Sequence, residues 1–394
     1  MKIILLGPVS PSALALHLHP EHAEIARSDD GTHGPSIGAL AKGLLDRGHE
    51  LVIVTHRRGY SSLHLRGRNL EFYRVTSRRS ARRQALDGFR YERSQMRSIV
   101  NDVQADLIHA HWTYEWANVA LSVKLPQVVT IHDAPLSVLK QNRSPYWVLR
   151  YLAAISFRLR AANVSMLAVS PYVGRRWSQE LLWKNEVAVI PNCVLPTPSH
   201  LESPKPEQVQ FIEVANASSL KNVRRLIEAF HLVREERPDV RLILIGNGLG
   251  PDDDICAWAT EQGWATNVRF LGPLSQEQVF DRFKESHVHI HASLEESFGL
   301  TLVESMQRGL PVIAGQDSGA TSWVLDDGRC GLLADMHDSK SMASCMLSAL
   351  SQDDASEKRV NAAYKRFLEL FSVPAVVRAH EAHYAKLLVD FRAT

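Results

Sequence analysis

The sequence predicts an α/β protein made of two doubly wound, Rossmann-like domains. Three observations predict it. Short apolar runs closed by glycine, proline or polar residues recur along the chain, as buried parallel strands do. Amphipathic segments at helical spacing separate them. The alternation then breaks at a polar stretch punctuated by Pro196, Pro198, Pro204 and Pro206 and restarts at Val209, which marks an interdomain linker in a chain of 394 residues.

Ile3 to Leu6 is the first apolar run, closed by Gly7-Pro8. The segment after it carries His17, His19, His22 and His33 at irregular spacing and reads as a mobile surface loop rather than a metal site. Gly34-Pro35-Ser36 opens a helix whose apolar face is Ile37, Leu40, Ala41, Leu44 and Leu45, stopped by Gly48. With the strand Leu51 to Thr55 this is the β-loop-α-β opening of a doubly wound sheet, and it puts Gly34 where backbone can approach a phosphate.

From Arg57 to Arg97 the chain is dominated by arginine, against only Glu71, Asp87 and Glu92. Arg78 to Val100 reads as one basic helix with Leu86, Phe89, Met96 and Ile99 interspersed. Two readings stay open: a solvated helix face, or contact with anionic lipid or a phosphorylated acceptor, where each basic residue is worth about 1 kcal/mol. No nucleic-acid motif accompanies the cluster, so nucleic acid is not the expected partner.

Asp106-Leu-Ile-His-Ala-His-Trp112 and Pro126-Gln-Val-Val-Thr-Ile-His-Asp133 are strands with polar residues at their carboxyl ends, followed by the helices Trp116 to Lys124 and Tyr146 to Ala161. Ligands of open α/β sheets bind beyond those ends, which makes His109, His111, His132 and Asp133 candidates. His109 and His111 lack a third metal ligand at useful spacing. Val164 to Ser170 and Val187 to Asn192 complete the first half.

The second half runs Val209 to Ala215 (strand), Val223 to Glu236 (helix) and Arg241 to Ile245 (strand), which ends in Gly246-Asn-Gly-Leu-Gly250, a tight turn. Asp252-Asp-Asp254 reads as acidic placement at a helix start rather than a metal site. Val268 to Leu271, Gln276 to Ser286 and Val288 to Ala292 continue the alternation. His287, His289 and His291 share one strand face, but steps of about 6–7 Å along a straight strand are too wide for one ion, so no metal site is expected. The tail holds two amphipathic helices, Ser356 to Phe371 and Val376 to Phe391, broken around Pro374.

The stretch Ser293 to Glu304 carries the chemistry. A strand ends, a Ser297-Phe-Gly turn follows, and a helix starts near Phe298, so unpaired N–H groups and a positive dipole end are presented together as an anion seat. Glu296 and Glu304 flank it and can accept hydrogen bonds from hydroxyls. A phosphate cradle between hydroxyl-binding carboxylates suits a nucleoside diphosphate sugar.

Composition adds limits. Hydrophobic content of 45%, charged content of 22% and a formal net charge of +2 describe a globular protein. Four scattered cysteines, an N-terminal run too short for a signal segment and no apolar run of about 18 residues point to a cytoplasmic protein, in peripheral contact with the inner face of an anionic membrane on the functional reading of the arginine segment.

With these residues in view the chain resembles the GT-B glycosyltransferases of the large retaining family called group 1, or family 4. The most specific part is Glu296-Ser-Phe-Gly-Leu-Thr-Leu-Val-Glu304, a glutamate pair separated by seven residues with phenylalanine and glycine between. Supporting it are Gly34 with Arg47-Gly-His49, Asp106 to Trp112, Pro191-Asn192, Lys221-Asn222 with Leu226-Ile-Glu-Ala-Phe230, Ile245-Gly-Asn-Gly248 and Gly309-Leu-Pro-Val312. The resemblance implies two Rossmann-like domains facing across a cleft: 1–196 for the acceptor, 197–373 for the nucleotide sugar, and 374–394 as a helix crossing back to the first domain. It implies that Glu304 binds the ribose and Glu296 the transferred sugar, that the backbone at Phe298, Gly299 and Leu300 aids sugar and phosphate contact, and that Lys221 neutralises the diphosphate. Gly34, Asn216 and Gly246 fall on the donor side, His132 faces the sugar, and His109, His111, Trp112 and Asp133 fall toward the acceptor.

The implied reaction is retaining transfer of a hexose-type sugar from a nucleoside diphosphate donor to a glycan or lipid-linked acceptor hydroxyl. The leaving phosphate takes the proton, and no metal or other cofactor is needed. Two departures stand out. Ala215-Asn216 occupies the place of the family's Gly-Arg, and Trp323 the place of a glutamate. The missing arginine motivates an alternative, a non-catalytic GT-B protein that binds a nucleotide sugar or a partner. Arg224 and Arg225, at the next helix start, are the candidate replacements.

Overall fold

The computed structural model describes residues 1–29, 34–196, 206–351 and 353–393. His33 and the linker prolines Pro198 and Pro204 lie outside the described residues. The chain divides into two compact units, Met1–Leu195 with Ser372–Thr394, and Pro196–Phe371.

The first unit is built on an eight-stranded sheet. Its strands are β1 (Lys2–Leu6), β2 (Glu50–His56), β3 (Leu63–Arg66), β4 (Leu70–Val75), β5 (Leu107–His111), β6 (Gln127–Ile131), β7 (Ser165–Ala168) and β8 (Val187–Val189). The order is β3-β4-β2-β1-β5-β6-β7-β8, parallel except for β3, which pairs antiparallel with β4. The near-continuous burial of β1, β2 and β5 is why they read as apolar runs. The β3–β4 hairpin lies inside the arginine segment, where charged residues hid the strand pattern.

The last helix, Val373–Arg392, belongs to this unit. Val376, Val377 and Tyr384 enter the core with Ile37, Leu40 and Leu44 of the helix Pro35–Asp46. A Cβ at Gly43 would collide with Val373 and approach Val377 Cγ2 to 2.7 Å, so glycine lets the two helices pack closely. Arg47 Nε donates to Glu381 Oε1 at 3.1 Å, and His49 Nε2 lies 2.9 Å from the same oxygen. The Arg47-Gly-His49 motif thus fastens the final helix.

Two expectations change here. The histidine-bearing stretch after β1 is not a plain loop: Pro11–His17 is a 3₁₀ helix and Pro20–Ser28 an α-helix, each with proline in its first turn, where the missing N–H costs nothing. The single basic helix is also two helices, Ala81–Leu86 and Arg90–Asp102, split where Gly88 (φ 59°) and Phe89 (φ 60°) are both left-handed. Much of the arginine charge is answered within the unit. Arg74 pairs with Asp29, while Arg78 bridges Asp87 at 2.8 Å and Glu92 at 2.6 Å. Arg79, Arg82, Arg83 and Arg90 remain exposed.

The second unit holds a six-stranded, all-parallel sheet: β9 (Gln210–Val214), β10 (Arg241–Ile245), β11 (Val268–Phe270), β12 (Val288–His291), β13 (Val312–Gly315) and β14 (Leu332–Ala334), in the order β11-β10-β9-β12-β13-β14. Phe211, Leu226, Phe230, Leu242, Ile290 and Ile313 lie in its main core. Asp354–Arg366 continues into a π turn, Phe367–Phe371, and Ser372 begins the return to the first unit. Among the described residues no helix is long and apolar enough to cross a membrane.

Candidate active site

The second sheet reverses direction between β9 and β12: β10 and β11 extend from one side of β9, and β13 and β14 from the far side of β12. A parallel sheet leaves a crevice at the carboxyl ends of such a switch point. The loop after β9 and the loop after β12 both enter it.

After β9, Asn216 Oδ1 accepts the Ser218 N–H at 3.0 Å, and the 3₁₀ turn Ser219–Lys221 ends at left-handed Asn222 (φ 56°), whose side-chain amide donates to the Met336 carbonyl at 2.7 Å. Gly246 is required beside this loop. Its φ is 137°, and a Cβ there would run into the Ala215 carbonyl, while one at Gly248 would meet Ala217 Cβ at 2.7 Å. Ala215-Asn216 and the glycine turn therefore lie backbone against backbone. These contacts aim Lys221 at the β12 loop, where its Nζ donates to Glu296 Oε2 at 2.7 Å.

After β12 the chain passes through Ser293 to left-handed Gly299 (φ 92°), which starts the helix Leu300–Gln307. The expected helix start shifts by two residues, because Phe298 precedes this turn. Glu296 is held at both ends: its carbonyl accepts the Ala320 N–H at 2.9 Å, and Oε2 lies 3.1 Å from His291 Nε2. On the other side of the imidazole, His291 Nδ1 is 3.7 Å from Glu213 Oε1. The four groups form one row, Glu213, His291, Glu296, Lys221.

Burial opposes charge on each member but loses to its neighbours. It would raise the Glu296 carboxyl, yet His291 and Lys221 bring it down to about 2. It would lower His291, yet Glu213 and Glu296 lift it to about 9. Glu213, fully buried, stays below its ordinary value through His291. The row alternates in sign from end to end.

Glu304 sits one helical turn further along and differs. Burial raises its carboxyl to about 7, with Arg308 only partly offsetting it. Arg308 donates to the Glu304 backbone carbonyl at 2.6 Å, not to the carboxylate, and its guanidinium lies 4.4 Å from the Phe280 ring centre.

Trp323 belongs to an aromatic group with Phe298 (centroids 6.4 Å) and Phe371 (5.8 Å). Arg366 braces it by donating to the Trp323 carbonyl at 2.7 Å and to Asp326 Oδ1 at 3.1 Å. In place of an acid, this position supports the buried Phe298 from behind. Arg224 lies over Trp258 of the helix Asp254–Glu261 at 4.8 Å, and Arg225 is 4.0 Å from Glu228 one turn along its own helix, so both are engaged elsewhere. The buried basic side chain beside Glu296 is instead His291, which the spacing of imidazoles alone did not identify. Its signal was Glu213, an acid inside the apolar run Val209 to Ala215 that needs a buried partner.

In the first unit, Gly34 (φ 59°, ψ 56°) caps the helix Pro35–Asp46, and any Cβ there would collide with the Pro8 carbonyl. Beyond β5 and β6, His111 Nδ1 lies 2.9 Å from His132 Nε2, and the Trp112 ring stacks on His132 at 4.1 Å. Tyr114 donates to Asp133 Oδ1 at 2.9 Å. Burial raises the Asp133 carboxyl to about 6 and lowers His132 to about 3. His109 is fully buried, with Nδ1 2.7 Å from the Tyr384 hydroxyl and Nε2 2.8 Å from Thr130 Oγ1, which makes it a tie between the sheet and the last helix. Behind this group Arg150 donates to Glu115 at 2.7 Å, with Glu115 also 3.3 Å from His56. The sequence reading missed that buried ion pair, because its partners are 35 residues apart.

Two Rossmann-like sheets, one carrying a strand-loop-helix connection between Glu296 and Glu304, have the architecture of the GT-B glycosyltransferase class. Residues 35–197 match the family described as Glycosyltransferase Family 4, and residues 200–366 match the one described as Glycosyl transferases group 1. The chain belongs to the group 1 glycosyltransferases. It is similar to a D-inositol 3-phosphate glycosyltransferase of Streptomyces avermitilis, 34% identical over 154 residues covering 37% of this chain and 33% of the relative. It is also similar to a D-inositol 3-phosphate glycosyltransferase of Mycolicibacterium smegmatis, 32% identical over 160 residues covering 40% and 36%. The chain thus matches about a third of the length of these curated relatives. Among solved structures, sucrose-phosphate synthase of Thermosynechococcus elongatus shares the fold at a TM-score of 0.76 and 17% identity, covering 99% of this chain and 100% of that one. Anabaena HepE, solved with UDP and glucose, does so at 0.67 and 17%, covering 98% and 99%.

Proposed function

We propose that the protein transfers a hexose-type sugar from a nucleoside diphosphate donor to an acceptor hydroxyl with retention of anomeric configuration. The observation that carries this reading is the placement of Glu296 and Glu304 on either side of the helix start at Gly299, with Lys221 already on Glu296. Glu304 takes the ribose hydroxyls. Glu296 takes hydroxyls of the transferred sugar, and Lys221 turns to the diphosphate.

Departure of a nucleoside diphosphate builds negative charge on its oxygens, and fixed donors aimed there lower the barrier most. Lys221 and the N–H groups opened at Gly299 supply that charge without a metal at the diphosphate. The acceptor hydroxyl attacks the anomeric carbon from the face the phosphate leaves; the carbon–oxygen bond to phosphate breaks, the new glycosidic bond forms, and the hydroxyl proton passes to the departing phosphate oxygen. His132, held neutral by burial, is assigned to the sugar. UDP is the first donor base to test, given the ligand in the HepE structure.

The acceptor is proposed to be anionic and lipid-linked. Arg79, Arg82, Arg83 and Arg90 are exposed in the same segment as Leu86, itself 65% exposed, which lines one groove with Val148 and another with Leu152. The relatives named for D-inositol 3-phosphate are consistent with an acceptor carrying phosphate. Binding to anionic liposomes but not to neutral ones is the expected result; equal binding, or none, argues against it.

The non-catalytic alternative rests on Ala215-Asn216, where the family's arginine is missing. A thermal-shift screen of nucleoside diphosphates and their sugars, followed by donor hydrolysis, separates the two. Hydrolysis that disappears in Glu296→Ala supports transfer. Tight donor binding with no turnover on any acceptor supports the alternative.

A further inference from the structure

We propose that Glu213, His289 and His291 hold a structural zinc ion at the switch point between β9 and β12. One ligand-capable atom from each residue lies within 4.8 Å of the others, and the residues are 0%, 0% and 2% exposed. The expectation of no metal rested on three imidazoles in line. The ligand set found here uses only two of them and takes its third member from the neighbouring strand.

The hydrogen bonds explain which atoms are left over. Glu213 Oε2 accepts the Ala292 N–H at 2.8 Å, His289 Nδ1 lies 2.8 Å from Ser305 Oγ, and His291 Nε2 lies 3.1 Å from Glu296 Oε2. Each potential ligand is therefore oriented by its other polar atom, the usual arrangement around a protein-bound metal, where the second imidazole nitrogen is tied to a carboxylate or hydroxyl. Glu213 Oε1 and His289 Nε2 remain buried with no hydrogen-bond partner. His291 Nδ1 is 3.7 Å from Glu213 Oε1, with Thr301 Oγ1 3.4 Å away. A buried acceptor left without a partner opposes folding, and a cation between the two removes that penalty.

Spacing and chemistry agree. The two imidazole centroids are 6.1 Å apart. Bonds of about 2.0–2.2 Å need ligand atoms about 3.4 Å apart, so each group has to close by less than about 1 Å. The β9–β12 register ends at His289↔Ile212, and Glu213 and His291 lie just past it, where the strands no longer pair. Two imidazoles and a carboxylate in an enclosed site suit zinc, which needs no redox partner and accepts water as a fourth ligand. Such an ion enters as the chain folds. It fixes the His291 ring that contacts Glu296, making His289 and Glu213 positioning residues for that loop. The proposal stands independently of sugar transfer, because metal content is measured without a donor.

The test uses the full chain, stripped by chelator, resupplied with zinc and passed through gel filtration before elemental analysis. The expected result is about one retained equivalent, with a melting point that falls on chelation and, in the cobalt-loaded protein, visible ligand-field absorption. Folded Glu213→Gln and His289→Phe, checked by circular dichroism, should each lose the bound ion. If both variants unfold, X-ray absorption on the zinc-loaded wild type decides: two imidazole nitrogens support the site, and none overturns it. Less than about a tenth of an equivalent in the wild type, with a melting point indifferent to chelator, overturns the proposal and leaves His291 as a plain imidazolium between two carboxylates. A full equivalent in either folded variant overturns it too, by placing the ion elsewhere.

Discussion

Both sheets end in buried histidines, yet His291 of the second unit is pushed towards its charged form while His289 beside it is lowered to about 3, as in the first unit. In the first unit His109, His111, His132 and His380 are packed among aromatic rings and one another, and burial drives their protonation down, His132 and His380 to about 3. In the second unit His291 is as deeply buried and is lifted to about 9, because Glu213 and Glu296 stand on either side of it. The difference lies in carboxylates, not in depth. Imidazoles without acids become neutral hydrogen-bonding spacers; an imidazole between acids becomes a fixed element of a charged row that ends at a ligand seat.

The largest expected effect breaks that comparison directly. His291→Leu strands Glu213 and Glu296 next to a hydrophobic side chain, and removing one partner of buried charges costs about 3–5 kcal/mol. His109→Phe removes only two neutral hydrogen bonds, to Tyr384 and Thr130, and should cost about 1–3 kcal/mol. Urea unfolding of the two variants measures both; equal losses would mean that the row carries no special charge.

Next in size, Lys221→Met removes the ammonium at the exposed end of the row. Turnover should fall about 10²–10³-fold, as for loss of one preorganised donor to developing charge. Steady-state kinetics at saturating donor checks it, and a change confined to KM would assign Lys221 to ground-state binding alone.

Glu304 sharpens the comparison through pH. Burial lifts its folded carboxyl to about 7 against an ordinary 4.5, so on the proposed ribose role a proton must leave below about 7 before both hydroxyls find acceptors. Donor affinity should therefore weaken as pH falls through 7, by up to about tenfold per unit, with a proton released on binding. Calorimetry at pH 6 and 8 tests this, and Glu304→Gln should bind weakly with a flat profile. The smallest effect belongs to the first unit's surface. Arg82→Ser with Arg83→Ser should lower affinity for anionic vesicles by about 1 kcal/mol per arginine at low salt.

The comparison also shows what the sequence made legible. Parallel strands such as β1 and β10 are buried on both faces, so their apolar runs announce themselves, and Gly299 and Gly34 mark turns that only glycine or a strained residue adopts. The β3–β4 hairpin was illegible because charged residues interrupt both strands and β3 lies at the sheet's edge. The row was half legible. Glu296 and Lys221 came from motif resemblance, but the link through His291 to Glu213 joins residues 78 positions apart in sequence, brought together only by the β9–β12 adjacency.

The most direct test is paired calorimetry of a nucleoside diphosphate and its sugar on the wild type and Glu296→Ala, with transfer assayed on the same samples. The expected result is that the variant binds the bare diphosphate within a few-fold of wild type, loses the extra affinity given by the sugar, and transfers nothing. Equal weakening of both ligands, or retained transfer, would contradict the assignment of Glu296 to the transferred sugar.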